Sequence, residues 1–129
     1  MKTILIVEDN AADQFLSQAI ISAKRPDVKV TVASDGEEAL EILRREDSLP
    51  DLILLDINMP RMNGHDFLEV FSENNTRDIP VVVMMTSSDL EQDREKSLHY
   101  KCVKDYLLKP VKPETIDLLE TIVSKYTDC

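Results

Sequence analysis

The run Leu52-Ile53-Leu54-Leu55-Asp56-Ile57-Asn58-Met59-Pro60 sets the terms for the rest of the chain. Four consecutive apolar residues without polar alternation fit a strand buried on both faces of a parallel sheet. The run stops at Asp56, and Pro60 and Gly64 break the chain before another helix starts. A lone carboxylate is therefore expected at the carboxyl end of a central strand, the edge along which open α/β sheets bind ligands. Taken alone, Asp56 also reads as a residue that caps a loop or a helix, so the remaining strand ends must decide.

Thr3-Ile4-Leu5-Ile6-Val7 is a second buried run, followed at once by Glu8-Asp9-Asn10. Ala12, Phe15, Leu16, Ala19, Ile20 and Ala23 recur at helical spacing and predict a helix with these as its apolar residues, stopped by Pro26. Val28, Val30, Val32 and Ala33 predict the next strand. Asp35-Gly36 turns into a helix with Ala39, Leu40 and Leu43 on one face and Glu37, Glu38, Glu41, Arg44 and Arg45 in water. Gly64 opens a third helix, with Phe67, Leu68 and Phe71 inward and Asn74-Asn75-Thr76 at its end. Ile79-Pro80-Val81-Val82-Val83-Met84-Met85 predicts a fourth strand ending at Thr86-Ser87-Ser88. A charged helix from Leu90 to Tyr100 leads to a short strand, Asp105-Tyr106-Leu107-Leu108, which closes at Lys109-Pro110. Pro113-Glu114 suits the first turn of the last helix, whose buried stripe is Ile116, Leu119, Ile122, Val123 and Tyr126. Strands alternating with helices in this way call for parallel strands, right-handed crossovers and helices on both faces.

At 129 residues the chain fits one domain, 1–129, with no output domain expected after it. The net charge of -10 opposes a sequence-independent grip on DNA and on anionic membrane surfaces. Cys102 and Cys129 make no metal spacing, and free thiols point to a cytoplasmic protein. The apolar run from Ile4 to Val7 is too short for a leader or a membrane span.

Parallel strands place all their carboxyl ends at one edge, so Glu8, Asp9, Asp56, Thr86 and Lys109 are expected to share one cleft. Packed carboxylates repel and raise one another's pKa, and a hard divalent cation such as Mg²⁺ relieves this. Asp56 can then act as a nucleophile that accepts a phosphoryl group as an acyl phosphate, with the cation offsetting the developing charge. Lys109 would pair with one phosphoryl oxygen and Thr86 would donate its hydroxyl to another. No general base is needed, because a carboxylate is already ionised near neutrality. Singly, each residue has a plainer reading. Glu8-Asp9 suits a helix N-cap, Thr86 a strand and Lys109 the surface. Their joint occurrence at four strand ends favours the cleft.

Glu8-Asp9, Asp56 with Met59-Pro60 and Met62-Asn63-Gly64, Thr86-Ser87, and Tyr106 with Lys109-Pro110 form a set. With it the chain resembles the receiver domain of two-component response regulators, the CheY-like family, over essentially its whole length. The resemblance implies a flavodoxin-like doubly wound sheet of order 2-1-3-4-5 with five helices. It implies phosphotransfer to Asp56 from a sensor histidine kinase or a phosphotransfer protein, in a signalling phosphoacceptor rather than an enzyme acting on other substrates. It implies that Asp9 and Asp56 bind Mg²⁺ with the backbone carbonyl of Asn58, Glu8 acting mainly through water. Thr86 and Tyr106 are then a switch pair, the hydroxyl moving to the phosphoryl group as the aromatic ring turns inward. A downstream protein target would read the face formed by the fourth helix, fifth strand and fifth helix, and a weak homodimer is a further expectation. One departure is Cys102-Val103, where members often have Gly-Ala, so that a turn needing positive φ would be less comfortable.

Three other functions use similar parts. A dehalogenase-type phosphatase needs a second Asp two residues after its nucleophile, and position 58 is Asn. A flavodoxin needs a Ser/Thr/Gly-rich loop after the first strand, where this chain has Glu8-Asp9-Asn10. A docking module that is never phosphorylated has no need of intact Glu8, Asp9, Asp56, Thr86 and Lys109.

Overall fold

Strand order in the sheet is β2-β1-β3-β4-β5, and every neighbouring pair is parallel. The computed structural model describes residues 1–45, 49–74 and 80–127. In chain order the elements are β1 (Thr3–Val7), α1 (Ala11–Lys24), β2 (Lys29–Ala33), α2 (Gly36–Arg45), β3 (Leu52–Leu55), α3 (Gly64–Asn74), β4 (Val81–Thr86), α4 (Glu91–Leu98), β5 (Val103–Leu108) and α5 (Pro113–Thr127). This is the expected doubly wound, flavodoxin-like arrangement. Residues 75–79, where the third helix was expected to end and the fourth strand to begin, lie outside the described residues, as does Cys129.

The central strands β3 and β4 are buried at every position, whereas the edge strands β2 and β5 are partly exposed. Alternation along the strands divides the interior into two layers. Leu5, Val7, Ile53, Leu55, Val82 and Met84 face Ala39 and Ile42 of α2 and Phe67, Leu68 and Phe71 of α3. Ile4, Ile6, Leu52, Leu54, Val83 and Met85 face Ile21 of α1 and Ile116, Leu119 and Val123 of α5. Burial of apolar side chains on both faces is what holds helices against the sheet, at roughly 1.5–3 kcal/mol for each fully buried large side chain.

Three local expectations change. β5 begins at Val103 rather than Asp105, because a register shift between Val82 and Val83 lets Lys104 bulge out of the ladder and interrupts the strand's alternation. α4 is shorter than the Leu90–Tyr100 span, and Ser97 is its only buried residue. Much of the apolar set of α1 also points away from the core, although its Ile20 packs against it. Phe15 is 73% and Leu16 40% exposed, Ala12, Ala19 and Ala23 are exposed, and Ile21 alone is buried. The rotation of α1 follows from its ends. Its first turn directs Asp13 and Gln14 to the strand-end edge, while Lys24 and Arg25 pair with Asp117 and Glu120 on α5. Cys102-Val103 needs no glycine, since the turn closes with the Val103 N–H donating to the Tyr100 carbonyl at 3.0 Å. Among the described residues the one non-glycine with positive φ is Arg61, at 63°.

Candidate functional site

Asp56 follows directly on β3, and its N–H still donates to the Val7 carbonyl at 3.0 Å, so the sheet itself sets its position. Its Oδ1 accepts the Ile57 N–H at 2.7 Å. The loop beyond folds back on it. Gly64 donates to the Ile57 carbonyl at 2.9 Å, and a Cβ on Gly64 would lie 2.9 Å from the Ile57 Cα and collide with the Asp56 carbonyl. Glycine is required there by close approach.

Glu8 follows β1 in the same way, its N–H donating to the Ala33 carbonyl at 2.9 Å. Its Oε2 accepts the Asn10 N–H at 3.1 Å. The helix cap is Asn10, whose Oδ1 accepts the Asp13 N–H at 3.0 Å. Neither Glu8 nor Asp9 is therefore the cap, and the plainer reading of that pair is displaced. Carboxylate oxygens of Glu8, Asp9 and Asp56 lie within 4.8 Å of one another. Glu8 and Asp56 are buried and Asp9 is exposed, so the group opens to solvent on one side. An oxygen-only donor set of this kind fits a hard divalent cation that retains several waters.

Lys109 reaches into this group from the end of β5. Its Nζ binds the Glu8 carboxylate, lies 2.8 Å from Asp13 Oδ2 and 3.0 Å from Asp56 Oδ2. Burial alone would lower its pKa, but hydrogen bonds to Asp13, Glu8 and Asp56 win, and the ammonium is raised above its ordinary range. Glu8 moves in the direction expected for the cluster, to about 7, yet for a different main reason. Burial contributes most and the nearby Asp56 charge less, against the opposing hydrogen bonds from Lys109 and Asn10. The expected mutual repulsion is thus largely answered by the lysine between the carboxylates.

Thr86, the last residue of β4, is fully buried, and its Oγ1 accepts the Ser88 N–H at 3.3 Å. Tyr106 points inward, 6% exposed, and its hydroxyl donates to the Ser88 carbonyl at 2.8 Å. Ser88 therefore links the two residues expected to act as a pair. Its own hydroxyl donates to Asp93 Oδ2 in the first turn of α4 at 2.6 Å, which ties α4 to the same unit. Burial raises the Tyr106 phenol pKa, partly offset by the bond to Ser88. Asn58 is exposed in the loop after Asp56.

Every residue expected at the cleft lies at this edge. Asp13 was missed. The signal was its place in the first turn of the helix that follows directly on Glu8-Asp9-Asn10. An acidic residue in a first turn is also what the helix dipole alone would explain, and that masks it. The joining of Thr86 to Tyr106 through Ser88 leaves no trace in sequence, because it is made by the Ser88 N–H and carbonyl.

The family model of the response regulator receiver domain matches residues 4–121. The chain is 37% identical over 125 residues to the probable methanogenesis regulatory protein FilR2 of Methanothrix harundinacea, covering 92% of this chain and 77% of that one. It is 34% identical over 114 residues to the two-component response regulator ORR7 of Oryza sativa, where it spans 88% of this chain but only 52% of the relative. Among solved structures, the phosphorylated cyanobacterial phytochrome response regulator RcpA superposes with a TM-score of 0.80 at 31% identity, covering 98% of this chain and 94% of that one. The Mn²⁺-bound form of response regulator Rcp1 does so with a TM-score of 0.77 at 29% identity, covering 100% and 97%. The strand order, the residues gathered at the strand ends and these matches agree: the chain belongs to the response regulator receiver domains of two-component systems.

Proposed function

We propose that the protein accepts a phosphoryl group on Asp56 from the phosphohistidine of a sensor kinase or phosphotransfer protein, and that this changes a protein-binding surface. The observation that supports it best is the convergence of Glu8, Asp9 and Asp56 within 4.8 Å, with Lys109 3.0 Å from Asp56. Asp9, Asp56 and the Asn58 carbonyl would hold Mg²⁺, with Glu8 acting through water; the metal supplies positive charge against the developing charge on the transferred group. That the related Rcp1 has a Mn²⁺-bound form supports a divalent cation for this protein.

In the transfer an Asp56 oxygen attacks phosphorus, the phosphorus–nitrogen bond of the donor breaks, and its electron pair stays with the imidazole. Asp56 becomes an acyl phosphate. Lys109 gives up carboxylate partners for a phosphoryl oxygen. The Thr86 hydroxyl, which now accepts from Ser88, turns to donate to the phosphoryl group. Ser88 also holds the Tyr106 hydroxyl and the first turn of α4, so its release alters the α4–β5–α5 face, where Leu98, Leu108 and Leu118 are exposed. The exposed Phe15 and Leu16 of α1, beside the cleft, suit a donor protein with an apolar helical surface.

Incubation with a small phosphodonor and Mg²⁺, followed by intact mass, tests the reading. Wild type should gain one phosphoryl mass and Asp56→Asn none. A mutant that is labelled as fast as wild type refutes the assignment.

A further inference from the structure

Beyond the cleft, Asp35 is also a buried carboxylate, 1% exposed, just after β2. A carboxylate so enclosed needs partners for both oxygens. Oδ1 accepts the Glu38 N–H at 2.9 Å and caps the first turn of α2. Oδ2 binds the guanidinium of Arg61, on the loop that follows Asp56. A helix cap alone would not need that second contact.

Arg61 holds φ at 63°, a conformation unfavourable for a non-glycine residue that persists where its surroundings enforce it. Those surroundings are the β2–α2 connection. The Gly36 N–H donates to the Met62 carbonyl at 3.1 Å, and a Cβ on Gly36 would lie 2.7 Å from Met62 Cγ. Glu37 adds a carboxylate oxygen 3.8 Å from Arg61 Nε. The other end of the loop is tied at Gly64 to Ile57. Ile57-Asn58-Met59-Pro60 is thus suspended between two anchors, with Ile57 and Met59 buried and Asn58 outward.

From this geometry we infer that Asp35 and Arg61 are positioning residues, a brace that sets the Asn58 backbone and thereby the affinity of the cleft for its divalent cation. The inference rests on the reading of Asp9, Asp56 and the Asn58 carbonyl as ligands. Mg²⁺ demands near-ideal octahedral geometry, so a small shift of one ligand is felt. Outer partners of ligands typically change metal affinity by about 10–100-fold when removed.

The test is direct calorimetric titration of the full chain with Mg²⁺, alongside melting in chelator. Asp35→Asn keeps the cap, since asparagine caps as well as aspartate, but releases Arg61. Arg61→Ala removes the same contact from the other side. Each should weaken Mg²⁺ binding by about tenfold, and Arg61→Lys should recover part of the loss. The double variant should bind no worse than either single, because both remove one interaction. A long-range charge effect has a different sign pattern: losing a cation at 61 would tighten Mg²⁺ and losing an anion at 35 would loosen it. Affinity changes of opposite sign, unchanged affinity, or additive losses overturn the brace. If Asp35→Asn does not fold, Arg61→Ala, at a side chain 64% exposed, decides alone by weakening or not weakening Mg²⁺. A wild type that binds no Mg²⁺ would sink the metal reading and the brace together, whereas wild-type binding with unaltered variants sinks the brace alone.

Discussion

Glu8→Gln should stabilise the metal-free protein at alkaline pH and do little at acid pH. Glu8 is 4% exposed, and its carboxyl is raised from 4.5 to about 7. A raised carboxyl favours the fold fully below the unfolded value, and that contribution is lost as pH climbs through the folded value. The window is therefore about pH 4.5 to 7. Across it the ionised fold loses roughly 3 kcal/mol relative to the unfolded chain, at about 1.4 kcal/mol per pH unit of displacement. The amide of the variant would resemble the protonated carboxyl at every pH. Comparing variant with wild type cancels the titration of other groups, and the Lys109 contact, which favours the ionised carboxyl, is already counted in the raised value. The difference between the two proteins should then grow by roughly 2–3 kcal/mol from pH 5 to pH 8.5. For a domain of this size that is on the order of 10 °C in melting temperature. Thermal melts in chelator at matched ionic strength read it. Saturating Mg²⁺ should narrow the gap, because a ligand of the folded state stabilises by mass action. A difference that does not change with pH, or a variant that loses ground as pH rises, would refute the burial argument.

Lys109→Ala should lower the metal-free melting temperature, by roughly 3 kcal/mol of stability, because Glu8, Asp13 and Asp56 would face one another without their shared cation. Mg²⁺ should restore more of that loss than it adds to wild type; equal increments in both proteins would count against lysine as the counter-charge. The same variant should still accept phosphoryl on Asp56 but transmit it poorly, read as target binding by the phosphorylated form. Tyr106→Phe should cost about 1 kcal/mol by leaving the Ser88 carbonyl short of its donor, with labelling of Asp56 unchanged. A large drop in labelling would place Tyr106 in the transfer step instead.

Much of this protein is decided within short stretches of sequence. Leu52–Leu55 and Val81–Thr86 are apolar at nearly every position because both faces of a central parallel strand are covered, and such runs are legible without a structure. Parallel order then forces the residues after each strand to one edge, so Glu8, Asp9, Asp56, Thr86 and Lys109 could be collected from the sequence alone. Tertiary structure decided what those residues touch. Helical periodicity shows that Ala12, Phe15, Leu16, Ala19 and Ala23 share a face of α1. It does not show which way the face turns, and contacts at both ends of the helix turn it outward. The charges of Glu8, Asp9 and Asp56 predict repulsion, but the tempering cation arrives from a residue 101 positions away from Glu8. The bulge at Lys104 and the joining of Thr86 to Tyr106 through the Ser88 backbone depend on neighbouring strands and on main-chain atoms common to all residues. Local pattern records what a segment must bury; the partner against which it is buried, and the charge it meets there, exist only once the chain has folded.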